Sequence, residues 1–403
     1  MDERLSIAPM MELTDPHYRM LMRFFSKKTV LYSELVVDDT VIYSPGLDFL
    51  LGKNIQEQPS IMQIGGHDPE NLAKASEIVE QYGGGYGEIN LNCGCPSPRV
   101  SLHCFGAKLM LKPELVREIV YTMQRRVSIP VSVKCRIGAD EMDSYDELTH
   151  FIRTVASGGV NKFVVHARKC LLNGLSPKQN RDIPPLRYEV VHRLTQDFPE
   201  LKFVINGGIN TFEQAKEHLD TDYTYEVPRA TTNDLIYHKL VKNGLNPKRY
   251  GVGLDSTEGE ASSDTPVPLY ESLPAVHGVM IGRQAFANPC MFASADSEFF
   301  GQADQGLSRR EVLDRYCDYC EWAQSDEGPR YSVKNKTMTV TSGVLLNAMR
   351  NVMHGLPWQQ KYRVALNDIY MEKIKGINGD PNPSVREVVS VPLLFCTYSL
   401  SSS

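Results

Sequence analysis

PSIMQIGGHDPENLAKASEIVEQYGGGYGEINLNCG, residues 59–94, contains a strand, a helix and a second strand. PSIMQIGG (59–66) and GEINLNCG (87–94) are short, apolar and bounded by proline or glycine, as buried parallel strands are. Between them, in DPENLAKASEIVEQYG, Asp68 can cap a helix with its side-chain oxygen. Pro69 suits the first helical position, where no backbone donor is needed. The glycine-rich GGGYG (83–87) precedes a strand rather than following one and does not fit G-x-G-x-x-G. It is therefore a loop and no dinucleotide fingerprint.

The same alternation extends outward in both directions. SIAPM (6–10), TVLYSELVV (29–37), PVSVKCRIG (130–138), KFVVHAR (162–168), KFVINGGI (202–209) and HGVMIGRQAF (277–286) repeat the strand signature. All are too uniformly apolar to suggest alternation between two faces. Helical stretches separate them. In KPELVREIVYTMQRRV, Pro113 opens a helix whose apolar face is Leu115/Ile119 and Val116/Val120/Met123. Eight such alternations in about 290 residues predict an α/β fold, a (β/α)8 TIM barrel, rather than an open sheet. Two irregularities remain. Residues 220–274 are polar and acidic, include DSTEGEASSDTP, and read as a surface insertion with a partly disordered centre. From Gly301 onward no strand pattern occurs; LSRREVLDRYCDYCEWAQ and TVTSGVLLNAMRNVMHG have helical periodicity. The expected division is a barrel over 1–300 and a small helical domain with a tail over 301–403.

The chain has 403 residues, 42% hydrophobic and 23% charged, ordinary values for a globular protein. No apolar run is long enough to span a bilayer. The start, MDERLSIAPM, lacks signal or transit character, so a cytoplasmic location is expected, or an organellar one if the N-terminus is incomplete. Nine scattered cysteines point to reduced thiols rather than a disulfide framework. A net charge of −6 argues against a nucleic-acid partner, but the distribution reverses the argument. Residues 148–181 contain no acid yet hold Arg153, Lys162, Arg168, Lys169, Lys178 and Arg181. Residues 328–367 likewise hold Arg330, Lys334, Lys336, Arg350, Lys361 and Arg363. One basic run is ordinary solvated surface; two acid-free stretches of this length fit a phosphate-rich partner.

In a barrel the site lies at the C-terminal ends of the strands. Those positions hold Pro9, Met10 and Met11; Gln63; Asn90 and Asn92; Lys134 and Arg136; His166 and Arg168; Asn206; and Arg283. Polar groups in apolar strands are costly unless partnered, so their recurrence marks a site. Asn206-Gly207-Gly208 and Gly282-Arg283 end the seventh and eighth strands, where barrels commonly hold a phosphate. Lys134 suits a flavin, whose reduced ring carries negative charge, but equally a Schiff base; the lysine alone does not decide. Cys93, Cys95, His103 and Cys104 lack the usual spacing of a zinc site, and no metal is expected. Cys317-x-x-Cys320 falls on a helix and reads as packing or surface. A redox C-x-C has no supporting context. Cys93 reads as core. Cys95, followed by Pro96, lies on the loop leaving the fourth strand and is a candidate nucleophile or acid.

Taken together, APMMELTD, LNCGCPSPRV, FGAKLM, VKCRIG, HARKCLLNGLSPKQNRDIPPL, INGGI and MIGRQAFANP resemble the flavin-dependent tRNA-dihydrouridine synthases, A-type subfamily. The resemblance covers about residues 5–219 and 276–295 and, more loosely, the helical tail. It implies FMN held by Pro9, Met10, Met11, Gln63, Lys134, His166, Asn206, Gly207, Gly208, Gly282 and Arg283, with NADPH as reductant. It makes Cys95 the catalytic cysteine and places Asn92, Lys178 and Arg181 against tRNA, with Arg168 in the same basic loop and Arg350 in the tRNA-gripping tail. The implied target is a D-loop uridine near position 20 and its neighbour. Reduction of the uracil 5,6 bond needs a hydride at C6 and a proton at C5, so Cys95 should keep an ordinary or raised pKa. The base must leave its stack, at a cost of a few kcal/mol that phosphate contacts can offset. The insertion 220–274 and the tail VREVVSVPLLFCTYSLSSS depart from the family pattern. A monomer is expected. Two other readings are a flavin barrel acting on a small molecule, such as a dihydroorotate or enone, and an RNA-binding protein without catalysis. The first has no use for the basic tail, and the second none for Cys95, Lys134 and His166 together.

Overall fold

The computed structural model describes residues 2–52, 57–82, 85–97, 105–172, 175–220, 223–226, 232–247, 270–333, 336–375 and 382–390. Eight parallel strands close into a barrel: β1 (Leu5–Ile7), β2 (Val30–Val37), β3 (Ser60–Gly65), β4 (Ile89–Asn92), β5 (Val131–Arg136), β6 (Lys162–His166), β7 (Lys202–Asn206) and β10 (Gly278–Ile281). They follow one another around the ring, with β10 closing between β7 and β1. The expected TIM barrel with a C-terminal helical region is therefore the fold. Helices form where the sequence provides ends for them. Asp68 Oδ1 accepts from the Asn71 N–H at 2.8 Å, with Pro69 opening the helix Pro69–Gln81. Helix Pro113–Gln124 buries Val116, Ile119, Val120 and Met123 against the barrel.

One expectation about the strands fails: they do alternate. On β5, Val131, Val133 and Cys135 join the core between barrel and helices, while Ser132, Lys134 and Arg136 take the other face. The barrel interior has only a small apolar plug of Ala8, Val30, Tyr32, Ile61, Val164, Val204 and Met280. The remainder is polar and mutually satisfied. Gln63 Nε2 donates to Asn90 Oδ1 at 2.8 Å, and Asn90 Nδ2 donates to Ser132 Oγ at 2.8 Å. Ser132 Oγ donates to Glu88, and at the N-terminal end Lys162 bridges Glu3 and Glu88, the latter at 2.7 Å. Short strands between apolar runs hid this pattern, because two or three inward positions per strand are too few to show a period.

The insertion is partly built. β8 (Tyr223–Glu226) and β9 (Tyr270–Leu273) pair as an antiparallel ribbon, and a helix spans Thr232–Lys242. The acidic centre read as partly disordered, DSTEGEASSDTP (255–266), lies outside the described residues. The expectation of a strand-free C-terminal region is corrected: β11 (Arg330–Val333) and β12 (Lys336–Thr339) form a hairpin. RYSV and KTMT carry too few apolar residues to register as buried strands. The helices Arg309–Gln324, Ser342–Met349 and Gln359–Lys375 share the main core with the barrel. His17 Nδ1 lies 2.8 Å from the Tyr319 hydroxyl across that junction. Cys317 and Cys320 are buried there, as packing. The tail beyond residue 390 lies outside the described residues.

Candidate active site at the barrel mouth

The loop leaving β4 is fixed by its neighbours. The Cys93 N–H continues the ladder to the Lys134 carbonyl at 2.8 Å, and its side chain is fully buried, the core role expected for it. Asn92 Oδ1 accepts from the N–H groups of Gly94 at 3.2 Å and Cys95 at 3.0 Å, while its Nδ2 donates to Gln63 Oε1 at 2.8 Å. Arg136 Nε donates to the Gly94 carbonyl at 2.9 Å. The Cys95 carbonyl accepts from Ala107 N–H at 2.9 Å, so Cys95 stands half-buried on a braced turn. Burial pushes its thiol pKa up, against the opposing pull of the Ser97 N–H, Arg136, Lys134 and Arg181. A thiol held protonated is a proton donor rather than a resting nucleophile.

Cations gather on the β5–β7 side of the mouth, with Glu12 and Glu34 on the β1–β2 side. Lys134 Nζ reaches across the interior from β5 to donate to Asn206 Oδ1 on β7 at 3.1 Å, and Asn206 Nδ2 donates to the Met280 carbonyl at 2.9 Å. Burial, with Arg136 adding repulsion, lowers the Lys134 ammonium to about 8. His166 is held well below its ordinary range by burial and then by Arg136, Lys134, Arg168 and Arg181, so it is neutral. Burial lowers Arg136, Arg168 and Arg181 too. Asp182 faces this group, 3.6 Å from Arg283 Nη2. Arg181 Nε is buried with no partner among the described residues. Desolvated cations with so little compensation make a receptor for an anion.

The turn after β7 has positive φ at Gly207 (117°) and Gly208 (69°), a conformation that disfavours side chains. A Cβ on Gly207 would lie 2.6 Å from the His166 ring, and one on Gly208 2.5 Å from Leu186. The Tyr188 hydroxyl donates to the Gly207 carbonyl at 2.6 Å. At Gly282 a Cβ would meet nothing nearer than Ala8 at 4.0 Å, so that glycine leaves room rather than filling a tight contact.

The barrel thus gathers Gln63, Asn92, Cys95, Lys134, His166, Asn206, Gly207 and Gly208 at one end, with Pro9 and Met10 half-buried beside them and Met11 60% exposed. Arg168 and Arg181 adjoin them; Lys178 and Arg283 are exposed at the rim. Arg350 is exposed at the end of helix Ser342–Met349, whose Asn347 Nδ2 donates to the Glu12 carbonyl at 3.4 Å in the loop after β1. Sequence reading gave no weight to Asn180. It is buried, its side chain pinning Leu171 N–H and the Leu171 and Leu175 carbonyls, and its own carbonyl accepts from Arg136 Nη1 at 3.1 Å. Arg136 therefore ties the Cys95 turn to the basic loop after β6. Nothing in a single sequence distinguishes a buried asparagine in KQNR from an exposed one. No grouping of three or more His, Cys, Asp or Glu suitable for a metal exists among the described residues, and His103 and Cys104 lie outside them. No helix among the described residues is long and apolar enough to cross a membrane.

Residues 6–225 match the family model described as dihydrouridine synthase. The tRNA-dihydrouridine(20/20a) synthase of Synechocystis sp. is 39% identical over 79% of this chain and 78% of its own length. The proteins of the same name from Shewanella oneidensis and Pseudomonas aeruginosa are 39% and 37% identical over 80% and 85% of this chain, and 78% and 86% of their own. With a barrel whose mouth presents a protonated thiol beside desolvated cations, and with relatives of this closeness, the chain belongs to the dihydrouridine synthase family of oxidoreductases.

Proposed function

We propose that this protein reduces uridine to 5,6-dihydrouridine in the D-loop of tRNA, at positions 20 and 20a, using FMN and NADPH. The positions follow the names of the relatives, and the assignment to this chain rests on its site. The residues present fit an anionic flavin. Lys134 is half-buried with one neutral partner, and Arg181 Nε has none among the described residues, so a bound anion would relieve both. Pro9, Met10, Met11, Gln63, Lys134, His166 and Asn206 would hold the ring system, and Gly207, Gly208, Gly282 and Arg283 its phosphate. When bound and reduced by NADPH, FMN supplies the hydride for C6 of the uracil.

The chain's own residues do the rest. Cys95 donates the proton to C5, and burial keeps that proton in place until it is needed. Asn92 and Arg136 brace the turn that presents the thiol. Arg168, Lys178, Arg181 and, from the helical region over 301–403, Arg350 meet tRNA phosphates and offset the cost of extruding the base. The single observation that carries the reading is Cys95, half-buried on the braced turn after β4 beside Arg136. Mass spectrometry of tRNA from a strain lacking the gene tests it: dihydrouridine at positions 20 and 20a should disappear and return on complementation. Unchanged tRNA would overturn the assignment.

A further inference from the structure

The insertion between β7 and β10 packs on the loop that follows β6. Ile236 and Leu240 of helix Thr232–Lys242 are fully buried, and they share an apolar cluster with Leu171, Leu175 and Ile183 of that loop. Tyr237 and Leu245 close the cluster from the insertion side. This cluster is separate from both the main core and the barrel interior. It holds the segment that carries Lys178 and Arg181 and begins next to Arg168. Asn180 braces this loop from within and the insertion helix braces it from outside.

The helix also brings charge. Ile236 and Leu240 lie four residues apart on the helical face packed against Leu171, Leu175 and Ile183, and Lys239, three residues after Ile236, lies beside that face. Lys239 is half-buried, and burial lowers its ammonium, with Arg168 adding repulsion and Asp182 opposing it. Arg168 and Arg181 in turn feel Arg283. Lys239 thus joins an existing row of cations whose named acid is Asp182. Left with water alone, such a row is repulsive; a run of RNA phosphates would neutralise it.

We propose that the insertion is part of the tRNA-binding surface: helix Thr232–Lys242 fixes Leu171, Leu175 and Ile183 through Ile236 and Leu240, and Lys239 contacts a tRNA phosphate beside Arg168. The proposal rests on the tRNA reading above and gives the insertion its role within it. It requires both parts: the apolar cluster sets the position of the loop, and the lysine adds a contact that the barrel alone does not provide.

The test uses the full-length holoenzyme, its flavin content measured by absorbance, and an unmodified tRNA transcript titrated across a range of salt. Lys239→Gln should weaken binding about fivefold at 0.15 M salt and flatten the plot of log affinity against log salt by about one. Ile236→Ala with Leu240→Ala should raise KM for tRNA several-fold with kcat little changed. It should also speed tryptic cleavage after Lys178 and Arg181 in the free enzyme, with flavin content at the wild-type level. If Lys239→Gln gives a salt plot superimposable on that of the wild type, the phosphate contact is refuted. If the double variant leaves KM and the tryptic pattern unchanged, the bracing is refuted. A wild-type enzyme that shows no salt-dependent tRNA binding would refute the tRNA reading itself, which separates that failure from this one.

Discussion

Replacing Lys134 with Met should stabilise the flavin-free protein while weakening its hold on an anion. Burial lowers the Lys134 ammonium from 10.5 to about 8. At ~1.4 kcal/mol per pH unit, keeping it charged in the fold costs about 3 kcal/mol at pH 7. Lys134 retains some exposed surface, so solvent screening reduces this to about 2 kcal/mol. Met is close in length and carries no charge. It forfeits the hydrogen bond to Asn206 Oδ1, worth about 1 kcal/mol. The flavin-free Lys134→Met protein should therefore be about 1 kcal/mol more stable at pH 7. The sign follows from the lowered pKa: the wild type's stability relative to the variant is present above pH 10.5, and is lost as pH falls through about 8. The advantage of the variant should shrink between pH 7 and pH 9.5 and reverse once the penalty falls below the value of the lost hydrogen bond. Urea denaturation of both flavin-free proteins at the two pH values measures this, and flavin titration gives the opposite ranking for affinity. A variant less stable by the same amount at both pH values would refute the argument, because the ammonium would then not be desolvated.

Cys95→Ala should retain flavin content and tRNA affinity yet lose most turnover, read by single-turnover reoxidation with tRNA; a wild-type rate would exclude the thiol as acid. Because burial raises this thiol, the wild-type rate should fall only as pH rises above its ordinary value of 9.0, and that limb should be missing from the residual activity of the variant. Asn92→Ala removes three hydrogen bonds and should cost about 2–4 kcal/mol by chemical denaturation while lowering kcat more than it raises KM; a change in KM alone would mark Asn92 as a tRNA contact and not a brace. Lys162→Met leaves Glu3 and Glu88 facing each other at the N-terminal end of the barrel, with an expected loss of about 3–5 kcal/mol at pH 7. Glu88 is already raised by burial, so the loss should diminish as pH falls through its range and that carboxylate takes up a proton; a pH-independent loss would contradict the account.

The eight barrel strands and the helices between them were legible because they are local: each is a few β-branched residues with glycine or proline at its ends, and Asp68 with Pro69 starts a helix whatever surrounds it. The polar residues at the strand ends were legible for the same reason, since closing a barrel sends every strand's C-terminal end to one side. What the tertiary structure alone decided depends on partners distant in the chain. Lys134 loses its hydration because the closed barrel buries it, and its partner there is Asn206, 72 residues later. Arg136 joins the Cys95 turn to the loop of Asn180, and the Asn92 side chain is held by Gln63 and by the N–H groups of that turn. The sequence shows the insertion only as a polar surface segment, whereas in the fold Ile236 and Leu240 are buried against Leu171, Leu175 and Ile183. Residue types and their spacing define secondary structure because those energies are local, whereas desolvation and hydrogen-bond partnership belong to a place in the fold, and only folding brings their contributors together.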